Sequence, residues 1–223
     1  MKSLINFVDK VYCIHDVNSN ERKEIYDNLK TLSPEYVFAD RPFKGFQTNS
    51  FQYAGVFGNT LSHLRVIILA SHQNYNKAIA VFEDDVSIRT KIDADSILAN
   101  AISNLPDDWG ILYLNGNPLG KTKQVKGNLY TCDNIVCTFS YILNVRYLKE
   151  LSLYYINSLG KESPNCICDA IIRDFFLHKN IPLYCVYPFV INHNDGIAIA
   201  RNNEKRNYDE SFFETQWKKS LER

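Results

Sequence analysis

The chain has 223 residues, 45% hydrophobic and 22% charged, which suits one globular domain over 1–223 with a sizeable core and excludes a disordered tail. Its 25 Lys and Arg balance 25 Asp and Glu, so no net field would hold it on a polyphosphate backbone, and nucleic acid is not an expected partner. Asn6 and Asp9 interrupt the start before any apolar stretch reaches signal-peptide length. No later run approaches the roughly 18 apolar residues of a membrane helix, so the expected location is the cytoplasm.

Val11-Tyr12-Cys13-Ile14 is a β-prone run, and Ile25, Leu29 and Leu32 fall at helical spacing between Asn20 and Leu32. From Pro34 to Phe57 the pattern is irregular and aromatic. Gly58-Asn59-Thr60 then offers a helix start, followed by Leu61, Leu64 and Ile68. The apolar run Ala78 to Phe82 reads as a strand covered on both faces, and it ends abruptly in Glu83-Asp84-Asp85. Asp93 or Asp95 caps a helix carrying Leu98, Ile102 and Leu105, and Ile111 to Leu114 makes another buried strand. Asn115 to Gly127, with three glycines and Lys121, Lys123 and Lys126, reads as a mobile loop before short strands near Leu129 and over 135–139. Leu148, Leu151 and Tyr155 mark a helix, 167–178 another, Pro182 to Val186 a last inner strand, and 210–222 an amphipathic helix. This alternation predicts a single α/β domain, a mixed and mostly parallel sheet flanked by helices. The six cysteines, Cys13, Cys132, Cys137, Cys166, Cys168 and Cys185, are spread over apolar segments and read as buried thiols, their spacings not being those of a structural zinc site.

The acidic triplet carries the functional signal. Three carboxylates at the end of an apolar strand repel one another unless a cation lies nearby. Hard oxygen ligands suit Mg²⁺ or Mn²⁺, which bind through one or two carboxylates plus substrate phosphates. The competing reading is a solvated turn, but open α/β sheets bind ligands at the carboxyl ends of their strands.

Three blocks in order, Tyr12-Cys13-Ile14-His15-Asp16 through Glu21-Arg22, Gly58-Asn59-Thr60-Leu61-Ser62-His63-Leu64 and Val81-Phe82-Glu83-Asp84-Asp85-Val86, resemble glycosyltransferase family 25, which holds the lipooligosaccharide and procollagen galactosyltransferases. Thr138 to Leu143 is similar to the family's small-residue-then-Tyr strand, and Cys168-Asp169 to its late Asp segment, so the likeness spans about 11–195. His15-Asp16-Val17 departs from the family's Asn-Leu-Asp. The resemblance implies a GT-A-like fold and inverting transfer of a hexose, galactose or glucose, from a UDP-sugar to a glycan or glycoconjugate acceptor, with Mn²⁺ or Mg²⁺. On the same ground Asp85 and Asp84, with His193, are the expected metal ligands. Ile14, His15, Arg22, Glu83 and Asp84 are the expected nucleotide contacts, and Asp169 is the expected base, with Glu162 and Asp195 next in line. Each has a plainer alternative: Arg22 as an exposed helix residue, His63 as a packed histidine, His193 as part of a turn, and Asp169 paired with Arg173 one helical turn on. The rival functions are a nucleotidyltransferase or metal-dependent phosphoester hydrolase, and a glycosyltransferase-like protein that binds without turnover.

Overall fold

The computed structural model describes residues 1–16, 27–40, 54–159, 167–194, 196–198, 204–206 and 210–223. A short helix, α1 (Lys2–Phe7), leads into β1 (Lys10–His15), and a 3-10 turn over Asp27–Leu32 precedes β2 (Glu35–Phe38). Next come α2 (Ala54–Ser71), β3 (Ala78–Glu83), β4 (Val86–Ile88) and α3 (Ala94–Ser103). The middle of the chain runs through β5 (Ile111–Tyr113), β6 (Asn117–Pro118), β7 (Thr122–Lys126), β8 (Leu129–Cys132), β9 (Ile135–Val136) and β10 (Ser140–Asn144). It ends with α4 (Leu148–Leu159), α5 (Cys168–His178), β11 (Leu183–Val186), β12 (Ile191–His193), the ribbon β13 (Gly196–Ala198) with β14 (Glu204–Arg206), and α6 (Glu210–Leu221).

Eight strands join one sheet in the order β2-β1-β3-β10-β5-β11-β8-β7. Only β10 and β8 run against the other six, so the sheet is mixed and mostly parallel, as the sequence pattern predicts. The uncharged runs that cannot face water, in β3, β5 and β11, fill its middle and are buried along their apolar lengths. Helix α2 packs on α4 and α5, and α1 on α3. At the start of β5 the layers approach so closely that a Cβ on Gly110 would lie 2.2 Å from the Phe176 ring of α5.

Several local expectations need correction. Helix α2 is already formed from Ala54, and Thr60 and Ser62 lie inside it, their hydroxyls donating to the carbonyls of Val56 and Gly58 while Thr60 Oγ1 also accepts the N–H of Cys168 at the start of α5. Of the helix expected over Asn20 to Leu32, the described part is 3-10, and residues 17–26 lie outside the described residues. The segment 115–127 is not a loop. It contains β6 and β7, and β7 returns through Gly127, at φ +55°, into a hairpin with β8. The strand expected over 135–139 stops at Val136, since Cys137 takes the left-handed φ of +80°. Cys13, Cys132, Cys168 and Cys185 are buried free thiols and Cys137 is half-buried, whereas Cys166 lies outside the described residues.

The two candidate caps of α3 divide the work. Asp93 accepts the N–H of Ser96 at the helix start, and Asp95 reaches α1 instead. Ser3 donates its hydroxyl (2.7 Å) and its backbone N–H (3.0 Å) to Asp95 Oδ1, and these bonds hold that carboxyl below the ordinary value of 3.8. A folded-state value below the unfolded one contributes stability that is complete above the unfolded value and is lost as pH falls through the folded one. Asp95→Ala is therefore expected to be less stable than the parent by under about 1 kcal/mol at neutral pH. The gap should narrow as pH drops below 3.8, as measured by urea unfolding at neutral and acid pH.

Candidate active site

The parallel register of β1 and β3 sets Ile14 beside Glu83, so both strands end at one edge of the sheet. Strand β10 runs the other way and begins there, with Ser140 opposite Phe82. The turn at Asp84 and Asp85 then delivers the chain into β4, which pairs antiparallel with β12. The acidic triplet thus emerges where four strands meet.

Each carboxylate is met by a different part of the chain. Glu83 Oε1 lies 3.2 Å from His63 Nε2 and accepts from Asn59 Nδ2 at 3.3 Å, both partners standing on α2. His63 is wholly buried, and its Nδ1 sits 2.8 Å from the Tyr141 hydroxyl. A proton on Nε2 satisfies Glu83 and leaves Nδ1 to accept from Tyr141. Asp84, only 1% exposed, accepts the backbone N–H of Asp16 at 2.7 Å and meets His15 Nδ1 at 3.0 Å. Asp85 keeps 13% of its side chain exposed, and its Oδ2 faces His193 Nε2 at 3.5 Å. That separation exceeds an ordinary hydrogen bond and is less than twice the roughly 2.1 Å at which imidazole or carboxylate donors hold a first-row ion.

Backbone pairing fixes this last juxtaposition. The β4–β12 register sets His193 across from Val86, the residue after Asp85, and the Asn194 N–H donates to the Asp85 carbonyl at 2.8 Å. The ring of Phe139, 5.0 Å from the His193 ring, braces it from the side. Among the described residues no group of three or more His, Cys, Asp and Glu is placed to hold a metal, and Asp85 with His193 is a two-donor pair.

Asp169, in the first turn of α5, accepts from the N–H of Cys137 at Oδ2 (2.9 Å) and from the N–H (3.3 Å) and hydroxyl (2.7 Å) of Thr138 at Oδ1. The pairing with Arg173 is not the one observed. Arg173 binds Asp174 and Asn134 instead. Burial pushes the Cys13 thiol up, and the carboxylates of Asp84, Asp85 and Glu83 push it further. Burial likewise raises the Tyr141 hydroxyl. Neither group is therefore an anion at neutral pH.

The structure thus brings together His15, Glu83, Asp84, Asp85, Asp169 and His193, with the buried Ile14 in the wall of β1. Asp84, expected to hold metal and nucleotide, is turned inward onto His15 and Asp16. Arg22, Glu162 and Asp195 lie outside the described residues. Sequence reasoning missed the bracing roles of Asn59 and Phe139. No local pattern marks them, because both act across the fold.

No family model matches the chain. Among curated proteins it is similar to botulinum neurotoxin type E of Clostridium botulinum, 29% identical over 227 aligned residues; the match covers 85% of this chain and spans only 18% of the toxin. Among solved structures it is similar to A197 from STIV (TM-score 0.48, 13% identity, 89% of this chain and 94% of that one). It is also similar to a UDP-glucose pyrophosphorylase from Acinetobacter baumanii (TM-score 0.41, 11% identity, 90% and 66%). Likenesses this distant concern the path of the chain and carry no chemistry to this site.

The unequal burial of neighbouring carboxylates has a measurable consequence. Asp84→Ala removes the acceptor of the buried Asp16 N–H and of the half-buried His15 ring and is expected to cost about 1–3 kcal/mol, whereas Asp85→Ala should cost under about 1 kcal/mol. Chemical denaturation of both variants checks this, and equal losses would contradict the division of roles.

Proposed function

We propose that the chain is a metal-dependent inverting glycosyltransferase that moves a hexose, galactose or glucose, from a UDP-sugar to a hydroxyl of a glycan or glycoconjugate. The observation that carries this reading is the meeting, at one sheet edge, of a carboxylate–imidazole pair with a braced carboxylate whose second oxygen is open. Asp85 and His193 are the residues that would hold Mn²⁺, a mixed oxygen and nitrogen set that suits this ion. When bound, the ion supplies positive charge against the diphosphate leaving group.

Glu83 has the features of a proton acceptor. Its Oε1 is fixed by His63 and Asn59, no hydrogen bond reaches Oε2 among the described residues, and the side chain is 19% exposed. In an inverting displacement the acceptor oxygen attacks the anomeric carbon opposite the diphosphate. The bond to the diphosphate breaks with its electron pair leaving on UDP, and the acceptor proton passes to a base, here Glu83 Oε2. Asp169, the base expected from the family resemblance, has both oxygens engaged by Cys137 and Thr138 and is less open to such a proton. His15, at the end of β1, stands where a nucleotide would meet the sheet edge.

A screen of UDP-sugars for UDP release, with Mn²⁺ and with excess chelator, tests the reading. Asp85→Asn is expected to lose the Mn²⁺-dependent release while keeping a cooperative melt. Glu83→Gln should keep UDP-sugar binding and lose about 10²- to 10⁴-fold in transfer rate. A β-linked product from an α-linked donor shows inversion. Full activity in chelator, or pyrophosphate released from a nucleoside triphosphate in place of UDP from a UDP-sugar, would overturn the proposal.

A further inference from the structure

A non-glycine residue in the left-handed region persists only where its surroundings hold it there. Cys137, at φ +80°, is such a residue, and it lies between the end of β9 and the start of β10 at the edge that carries the acidic triplet. What holds it is visible. The left-handed turn aims the N–H groups of Cys137 and Thr138 toward the first turn of α5, and the two oxygens of Asp169 receive them, one each. The Thr138 hydroxyl adds a third bond, at 2.7 Å.

The residue after this clamped pair supports the site twice. The Phe139 carbonyl accepts the N–H of Glu83 at 2.9 Å, which ties down the root of the acidic triplet. Its ring packs 5.0 Å from the His193 ring and 5.6 Å from that of Phe213 on α6. Phe139 is itself buried, so its ring cannot shift without moving the backbone that carries it. If Cys137 relaxed to an ordinary φ, the chain entering β10 would rotate, and Phe139 would withdraw from His193.

We infer that Asp169 is a positioning residue for the Asp85–His193 pair: it locks Cys137 in the left-handed conformation and so sets the Phe139 ring that orients His193. The inference rests on the reading of Asp85 and His193 as a divalent-cation site. It gives Asp169 a task that does not require it to touch substrate, and it explains why a carboxylate is committed to two backbone N–H groups at the edge of the site. Groups one step removed from a metal commonly set its affinity by 10- to 100-fold, because they fix the direction of the ligand lone pairs.

The test is Mn²⁺ affinity, read from the electron paramagnetic resonance signal of free Mn²⁺, with a thermal melt of each protein alongside. Asp169→Asn places an amide where Oδ1 and Oδ2 now accept, and is expected to weaken Mn²⁺ binding about 10- to 100-fold. Adding Cys137→Gly to Asp169→Asn lets the backbone keep φ +80° without the clamp and should recover most of that loss. A merely stabilising Asp169 would lower the melt without this rescue. If Asp169→Asn is too unstable to study, Thr138→Ala removes only the hydroxyl bond and should give a smaller loss in the same direction. Mn²⁺ affinity within threefold of the parent in folded Asp169→Asn overturns the inference, and so does a loss that Cys137→Gly fails to reverse. A parent protein that binds no Mn²⁺ at all overturns the cation-site reading itself, a distinguishable result.

Discussion

Like charges about 4 Å apart near a protein surface repel by about 4 kcal/mol, and a strand that ends in three consecutive carboxylates must absorb that repulsion or unravel. Here the carboxylates are dispersed among three partners drawn from far along the chain. α2 supplies His63 and Asn59 to Glu83, the end of β1 supplies His15 and Asp16 to Asp84, and β12 supplies His193 to Asp85. The dispersal converts an electrostatic liability into fixed geometry. Each carboxylate points a different way, and Asp84 alone is turned wholly inward while Glu83 and Asp85 keep part of their side chains exposed.

That geometry depends on support from the end of the chain. Arg89, one residue beyond β4, is nearly buried; it donates to the Phe189 carbonyl and to Glu214, and it meets Glu210 at the start of α6. A buried guanidinium held by two carboxylates is costly to break at either partner. Trp217 of α6 stacks on Tyr187 with centroids 4.5 Å apart and meets Tyr130 and Phe189 edge-on. The ribbon bearing Asp85 and His193 is thus braced by a helix more than a hundred residues downstream of its first strand.

Much of the fold was legible because it obeys local rules. The uncharged runs became inner strands, and the acidic triplet lies at a strand's carboxyl end as its abrupt charge suggests; of the expected stripe of Phe213, Trp217 and Leu221, the first two form the buried face of α6 while Leu221, in its last turn, is exposed. The failures have physical causes. Helix α1, at six residues too short to stand alone, exists through Leu4 in the core and the clasp of Ser3 on Asp95, neither of which has a local signature. The lysines and glycines of 115–127 looked like loop composition, yet on an edge strand both faces are wet and lysine is an ordinary occupant. At the site, residue types were readable but their pairing was not. Asp85 meets His193 only through the β4–β12 register, and Asp169 meets Cys137 only because α5 starts beneath that turn.

Among the described residues the sheet does not close, and its outermost strands, β2 and β7, each have a strand on one side only. On β7 the side chains from Lys123 to Lys126 are all exposed, so a strand from another molecule would have to strip water from two ammonium groups to dock there. On β2 the edge is only four residues long, and Glu35 is tied to Lys10 at 2.8 Å. Both rims therefore resist the edge-to-edge growth that open sheets invite. For a chain with 14 tyrosines and 13 phenylalanines, this blunting keeps the strands of separate copies from annealing into a continuous ribbon.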